Sequence, residues 1–207
     1  MDDNKLDVLF VCTGNTCRSC MAEDIFKRKL EENGLREKVR VDSAGVCTID
    51  GQKASENAVK VIEEHGGDIS AHKSKQLTLE MIEKADYIFT MTFSHKKNII
   101  QMAPEAYNKI FVIKEFIDSN VEKESKELAK LYKKAALLYD KLHGYRENEI
   151  KSEEEREELL ELEKKIKDKE IKFINYDISD PFGGSREDYE RIYRELDSSL
   201  ENIIKKL

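Results

Sequence analysis

Apolar residues in this chain follow two rhythms, and their order along the sequence predicts the fold. Asp7-Val-Leu-Phe-Val11 is a short, nearly unbroken apolar and β-branched run, the pattern of a strand buried on both faces of a parallel sheet. It leads into the polar segment Cys12-Thr-Gly-Asn-Thr-Cys-Arg-Ser19. Beyond it, Ala22, Ile25, Phe26 and Leu30 share one helical face, and Gly34 is placed to close that helix. The alternation repeats. Val39 to Val41 reads as a strand, and Ala58, Val61, Ile62 and His65 mark a helix stopped by Gly66-Gly67. Asp86 to Met91 and Ile110 to Ile113 supply two more strands, with a helix from about Ser94 to Met102 between them. A last helix buries Tyr189, Ile192, Tyr193, Leu196, Leu200 and Ile203, with Ser185 as its N-cap and Asp188 three residues on. Four strands alternating with helices predict an α/β fold, a doubly wound sheet. Ligands bind such sheets beyond the carboxyl ends of the strands, where the Cys12 segment lies.

From about Ser119 to Lys172 the rhythm changes and Glu and Lys dominate. Leu128, Leu131, Ala135, Leu138 and Leu142 repeat at spacings of three and four, and Leu159, Leu162 and Ile166 do so again beyond Gly144. A charged helical hairpin over 119–176 is therefore expected as an insertion into a domain formed by 1–118 and 177–207. Its narrow apolar seam either simply joins two solvated helices or docks a partner or a second copy; the sequence leaves that open.

Composition narrows the function classes. The chain has 207 residues, 39% hydrophobic and 38% charged, enough for one sizeable core. A net charge of -7 with no basic, aromatic-interleaved patch argues against nucleic acid. The acidic start, Met1 to Leu6, and the short run Val8 to Val11 fit neither a signal peptide nor a membrane span, so a cytoplasmic location is expected. In that reducing compartment the four cysteines are catalytic, metal-binding or inert rather than structural disulfides.

Cys12 and Arg18, five residues apart, let a tight loop wrap one phosphate: backbone N-H groups turn inward, a helix N-terminus follows, and the guanidinium can grip two oxygens. The same positive field favours a Cys12 thiolate, a nucleophile, with Ser19 placed to hydrogen-bond the sulfur. Gly14 and Asn15 tolerate left-handed backbone. Asp180, fixed by Pro181 and followed by Gly183-Gly184, is the expected acid for the leaving group and base for water; Asp177 is the competitor. The spacing Cys12, Cys17, Cys20 also approaches that of iron-sulfur ligands, an alternative that Arg18 and the strand-loop-helix framing oppose.

With Cys12 to Ser19, Ser43-Ala-Gly45 and Asp180-Pro-Phe182 together, the chain resembles the low-molecular-weight protein tyrosine phosphatase superfamily over about residues 6 to 118 and 177 to 205. The resemblance implies a flavodoxin-like four-stranded parallel sheet, a phosphocysteine intermediate, no cofactor and no metal. By position, Thr13, Gly14, Asn15, Thr16, Cys17 and Ser19 line the phosphate, Ser43 and His72 hold Asn15, and Phe182 supports the acid loop. Phosphorylated proteins are the implied partners. Tyrosine-directed members typically carry isoleucine at position 16 and arsenate reductases serine, whereas Thr16 and Asp180-Pro-Phe-Gly-Gly-Ser185 resemble the arginine phosphatases. Met91-Thr-Phe-Ser-His95 and Lys114-Glu-Phe116 look like that branch too. Phosphoarginine is the expected substrate, with phosphotyrosine as the alternative; arsenate reduction and a non-catalytic phospho-residue module are the remaining readings. Cys17 is a candidate redox partner for Cys12. Cys20 stands where the family has proline, which should loosen the loop slightly.

Overall fold

β1, Leu6–Cys12, is apolar at almost every position because both of its faces are covered. Val8, Phe10 and Cys12 enter one core layer, and Leu9 and Val11 enter the other. The computed structural model describes residues 5–143 and 153–206. The acidic start at Met1–Asn4 and the expected hairpin turn at Gly144 lie outside the described residues.

Four parallel strands make the sheet, in the order β2-β1-β3-β4, with β2 at Val39–Gly45, β3 at Tyr87–Thr90 and β4 at Ile110–Val112. β1 lies at the point where the strand order reverses, so its carboxyl end opens at the switch point of a flavodoxin-like sheet. The first layer holds α1, Arg18–Glu32, α2, Glu56–Glu64, and the C-terminal helix, α8, Arg186–Ile204. Ala22, Ile25, Phe26 and Leu30 of α1 meet Ile192, Leu196, Leu200 and Ile203 of α8, all fully buried. Positive φ angles at Gly34 and Gly66 end α1 and α2 as the sequence suggests.

Periodicity does not announce two short helices: α5, Ile113–Ile117, which packs with the first layer against α8, and α3, Leu79–Lys84, in the second layer. α4, Phe93–Met102, α6, Glu122–His143, and α7, Glu153–Glu170, complete it, and a 3-10 segment runs over Ile171–Tyr176. Leu128, Tyr132, Ile166 and Phe173 belong to the same buried cluster as Leu9 and Val11 of β1, so the charged helices share the domain core. Leu131, Ala135 and Leu138, expected on the seam, are only half-buried.

Strand ends differ from the expected ranges, most clearly in β2 and β4. β2 runs to Gly45 rather than ending at Val41, because Phe10, Val11 and Cys12 pair in register with Ser43, Ala44 and Gly45. Ile113 begins α5 instead of ending β4, since the Glu115 carboxylate accepts the Val112 backbone N-H.

Lys96 and Glu115, charged residues that a sequence places at the surface, form a buried ion pair, with Lys96 Nζ 2.7 and 2.9 Å from the two carboxylate oxygens. Glu115→Ala should cost about 3–5 kcal/mol because it strands a buried ammonium. Urea unfolding checks this; a loss below 1 kcal/mol would mean that Lys96 finds water.

Candidate active site

The loop between β1 and α1 is shaped by one residue in left-handed backbone. Asn15, at φ 53°, is the single non-glycine residue with positive φ among the described residues. Asparagine tolerates this conformation better than most side chains. Its side chain then locks it. Nδ2 donates to Ser43 Oγ at 2.8 Å and to Ser19 Oγ at 2.9 Å, while Oδ1 accepts Lys75 N-H at 2.9 Å. His72 Nε2 lies 2.7 Å from the Asn15 carbonyl oxygen.

These contacts orient a chain of hydroxyl protons. Ser43 Oγ donates to Glu23 Oε2 at 2.5 Å, so it can accept from Asn15. Ser19 Oγ likewise accepts from Asn15, which leaves its own proton free for Cys12 Sγ at 3.0 Å. The Asn15 backbone N-H points at the same sulfur at 3.2 Å. Cys12 is thus buried with two donors aimed at its sulfur. Glu23, on the first turns of α1, is a site residue that the sequence did not single out, since Ser43 reaches it only in the fold.

Close approach of β2 supports the loop from below. A Cβ on Gly45 would lie 2.6 Å from Thr13 O and 3.1 Å from Asn15 N, both backbone atoms that cannot move without distorting the loop. The Thr13 carbonyl accepts Cys47 N-H, the Gly14 carbonyl accepts the Thr48 hydroxyl, and Thr16 O accepts Ser55 N-H. Gly45→Ala should therefore destabilise by about 1–3 kcal/mol and open the loop. Thermal unfolding together with phosphate affinity checks it; unchanged phosphate binding would contradict it.

Arg18, 4% exposed, is the first residue of α1 and reaches across to the acid loop. Nη1 donates to Ile178 O at 3.1 Å and Nη2 to Asp180 Oδ2 at 2.6 Å. Its buried Nε has no partner, an orphan donor beside the loop. A two-point grip on phosphate through Nε and Nη2 would thus require Asp180 to release Nη2.

Asp180 sits half-exposed on its turn, with Oδ1 accepting Phe182 N-H at 3.1 Å. The paired glycines have separate reasons: Gly183 takes φ 74°, and a Cβ on Gly184 would meet Pro181 O at 3.0 Å and the Asp188 carboxylate at 2.8 Å. Ser185 and Asp188 form the expected capping box at the start of α8. Phe182 is 79% exposed. Asp177 is instead occupied with Phe93 N-H at 2.7 Å, and burial pushes its carboxyl up.

The other thiols differ in setting. Cys17 contacts the hydroxyls of Ser55 at 3.4 Å and Tyr189 at 3.3 Å. Cys20 is the third residue of α1, not the first; its Sγ donates to Cys17 O at 3.0 Å, and burial pushes its thiol well up. Its N-H has no intrahelical partner at that position, so replacing proline removes little beyond a fixed φ. Cys47 is exposed. Among the described residues no three or more His, Cys, Asp or Glu side chains are grouped to hold a metal ion, and no helix is long and apolar enough to cross a membrane.

His95, on α4, is a second residue that the sequence did not assign to the loop. Its Nε2 lies 2.8 Å from Thr13 Oγ1, and burial, reinforced by Arg18, lowers it from 6.5 to about 4. The unfolded chain binds this proton more readily, so stability should fall as pH drops from 6.5 towards 4. His95→Gln should lose that component, read as a smaller difference in urea midpoint between pH 7 and pH 5.

The family model for low molecular weight phosphotyrosine protein phosphatase matches residues 7–167. A protein-arginine-phosphatase of Geobacillus stearothermophilus is 44% identical over 110 residues, covering 53% of this chain and 70% of its own length. One from Bacillus subtilis is 42% identical over 112 residues, covering 54% and 73%. Among solved structures, a low molecular weight protein tyrosine phosphatase from T. tengcongensis superposes with a TM-score of 0.67 at 32% identity, covering 98% of this chain and all of that one. The chain belongs to the low molecular weight phosphotyrosine protein phosphatase family.

Proposed function

We propose that this protein phosphatase removes phosphate from arginine side chains of proteins, with Cys12 as nucleophile and Asp180 as proton donor. The observation that carries the chemistry is the buried Arg18 with an unpartnered Nε, next to a sulfur that already receives two donors. Phosphate would enter the cradle of loop amides at the N-terminus of α1, take Nε and Nη2 of Arg18, and displace Asp180. Once displaced from Arg18, the Asp180 carboxylate takes a proton from solvent; the Cys12 thiolate attacks phosphorus to form the S-P bond, the P-N bond breaks, and Asp180 gives that proton to the departing guanidine nitrogen. Ser19 then stabilises the sulfur as it leaves, when water, deprotonated by Asp180, attacks the phosphocysteine.

Thr16 supports arginine as the substrate. Half-buried on the loop, it is smaller than the isoleucine typical of the tyrosine-directed relatives and offers an oxygen to a guanidinium. The two arginine phosphatases above support the same choice. The exposed Phe182 ring favours a second reading, since it offers a stacking face to a phenol. Matched phosphoarginine and phosphotyrosine peptides decide between them. Wild type should prefer phosphoarginine in kcat/KM, and Thr16→Ile should shift preference towards phosphotyrosine by about tenfold or more. A wild-type preference for phosphotyrosine, or no shift, would defeat the assignment.

Cys17 carries a further part of the proposal. Peroxide would oxidise the Cys12 thiolate to a sulfenic acid, and the Cys17 thiol would displace water to form a disulfide that added thiol reduces. Inactivation should therefore reverse with thiol in wild type and be less recoverable in Cys17→Ser, whose sulfenic acid is left open to further oxidation to sulfinic acid; equal recovery would defeat this part.

A further inference from the structure

His95 is 5% exposed and fully engaged: Nδ1 lies 2.9 Å from Thr92 Oγ1 and Nε2 lies 2.8 Å from Thr13 Oγ1. Thr92 is the N-cap of α4, and Thr13 is the first residue after Cys12. The ring therefore bridges the start of a helix and the start of the phosphate loop. A neutral imidazole offers one donor and one acceptor nitrogen, and a threonine hydroxyl can take either complementary role, so both bonds form together.

The next residue faces the other way. Lys96 holds both oxygens of Glu115 and lies 3.4 Å from Ser125 Oγ; the Ser125 hydroxyl donates to Glu115, which also accepts Val112 N-H at 3.1 Å. Ser125 belongs to α6. One residue of α4 thus bonds the catalytic loop while its neighbour is locked, out of water, to the first turns of the charged helix. Because a buried ammonium cannot leave its carboxylate cheaply, this cluster fixes the rotation of α4.

We propose that His95 is a positioning residue for catalysis, and that the Lys96, Glu115 and Ser125 cluster holds α4 where His95 can reach Thr13. This rests on the reading of the loop as the phosphoryl site. Thr13 is then pinned twice, through its carbonyl by Cys47 N-H at 3.0 Å and through its hydroxyl by His95. The amides that follow it stay turned towards the phosphoryl oxygens. Loosening that turn weakens transition-state contacts more than ground-state ones, because the transition state is what the rigid cradle fits.

The test measures kcat and KM on phosphoarginine and phosphotyrosine peptides, with calorimetric binding of inorganic phosphate alongside. His95→Ala should lower kcat about ten- to a hundredfold with little change in KM. His95→Gln, whose amide can reach the position of Nε2, should recover most of it. Thr13→Val should resemble His95→Ala, and the double variant should be no worse than either, since both remove one shared contact. Ser125→Ala should cost a few-fold in kcat through the helix alone. A kcat within twofold of wild type for His95→Ala, multiplying effects in the double variant, or no rescue by glutamine would overturn the role of His95. An unchanged Ser125→Ala would overturn the part played by α6. Should wild type hydrolyse neither peptide, the phosphatase reading itself falls; phosphate affinity still reports on the loop, and equal binding by wild type and His95→Ala would then refute the positioning role.

Discussion

Cys12→Ala is expected to abolish turnover, by about 10^5-fold or more, while leaving inorganic phosphate bound as tightly as before or more tightly. The sulfur is the atom on which Ser19 Oγ and Asn15 N-H converge, and no other thiol shares that setting. Cys17 has only neutral hydroxyls beside its sulfur, Cys20 is held protonated by burial, and Cys47 lies at the surface. On the proposed mechanism, Cys12 is the group that accepts the phosphoryl transfer. The loop and Arg18 remain, without a sulfur in the way of a phosphate dianion. Steady-state kinetics with phosphate calorimetry checks both halves; substantial residual turnover would mean that water attacks phosphorus directly.

Asp180→Asn should lower kcat by about 10^2- to 10^4-fold and, at the same time, raise affinity for inorganic phosphate. On the proposed mechanism, loss of rate follows from losing the proton donor. The gain in affinity follows from the Arg18 to Asp180 contact of 2.6 Å, in which the carboxylate occupies Nη2, one of the two donors that the proposed phosphate grip takes. A neutral amide competes far less with a dianion for that edge. A variant that lost rate but bound phosphate no better would mean that Asp180 leaves Arg18 at no cost. Equal rates would shift the acid role elsewhere.

Much of this arrangement was legible in the sequence, and the reason is length and periodicity. α1 and α8 carry apolar faces over fifteen and nineteen residues, so their buried positions follow directly from spacing. Cys12, Arg18 and Asn15 sit in one continuous loop, where spacing alone implies a cradle. α3 and α5, at six and five residues, are too short to show a period and are set by their caps and neighbours. The end of β2 was hidden because Ser43 and Gly45 are poor strand formers, held there by pairing with Phe10 and Cys12. Glu23, His95, Lys96 and Glu115 were hidden for another reason. A charged or titratable residue reads as solvated until the fold brings its partner to it from a distant segment.

The account stands on phosphorus passing through one sulfur, and trapping that intermediate tests it most directly. Wild type mixed with a peptide carrying isotopically labelled phosphoarginine and quenched within a turnover should yield label on Cys12 as an S-phosphate, with none in Cys12→Ala. Label on any other residue, or burst-free hydrolysis with no labelled protein, would contradict it.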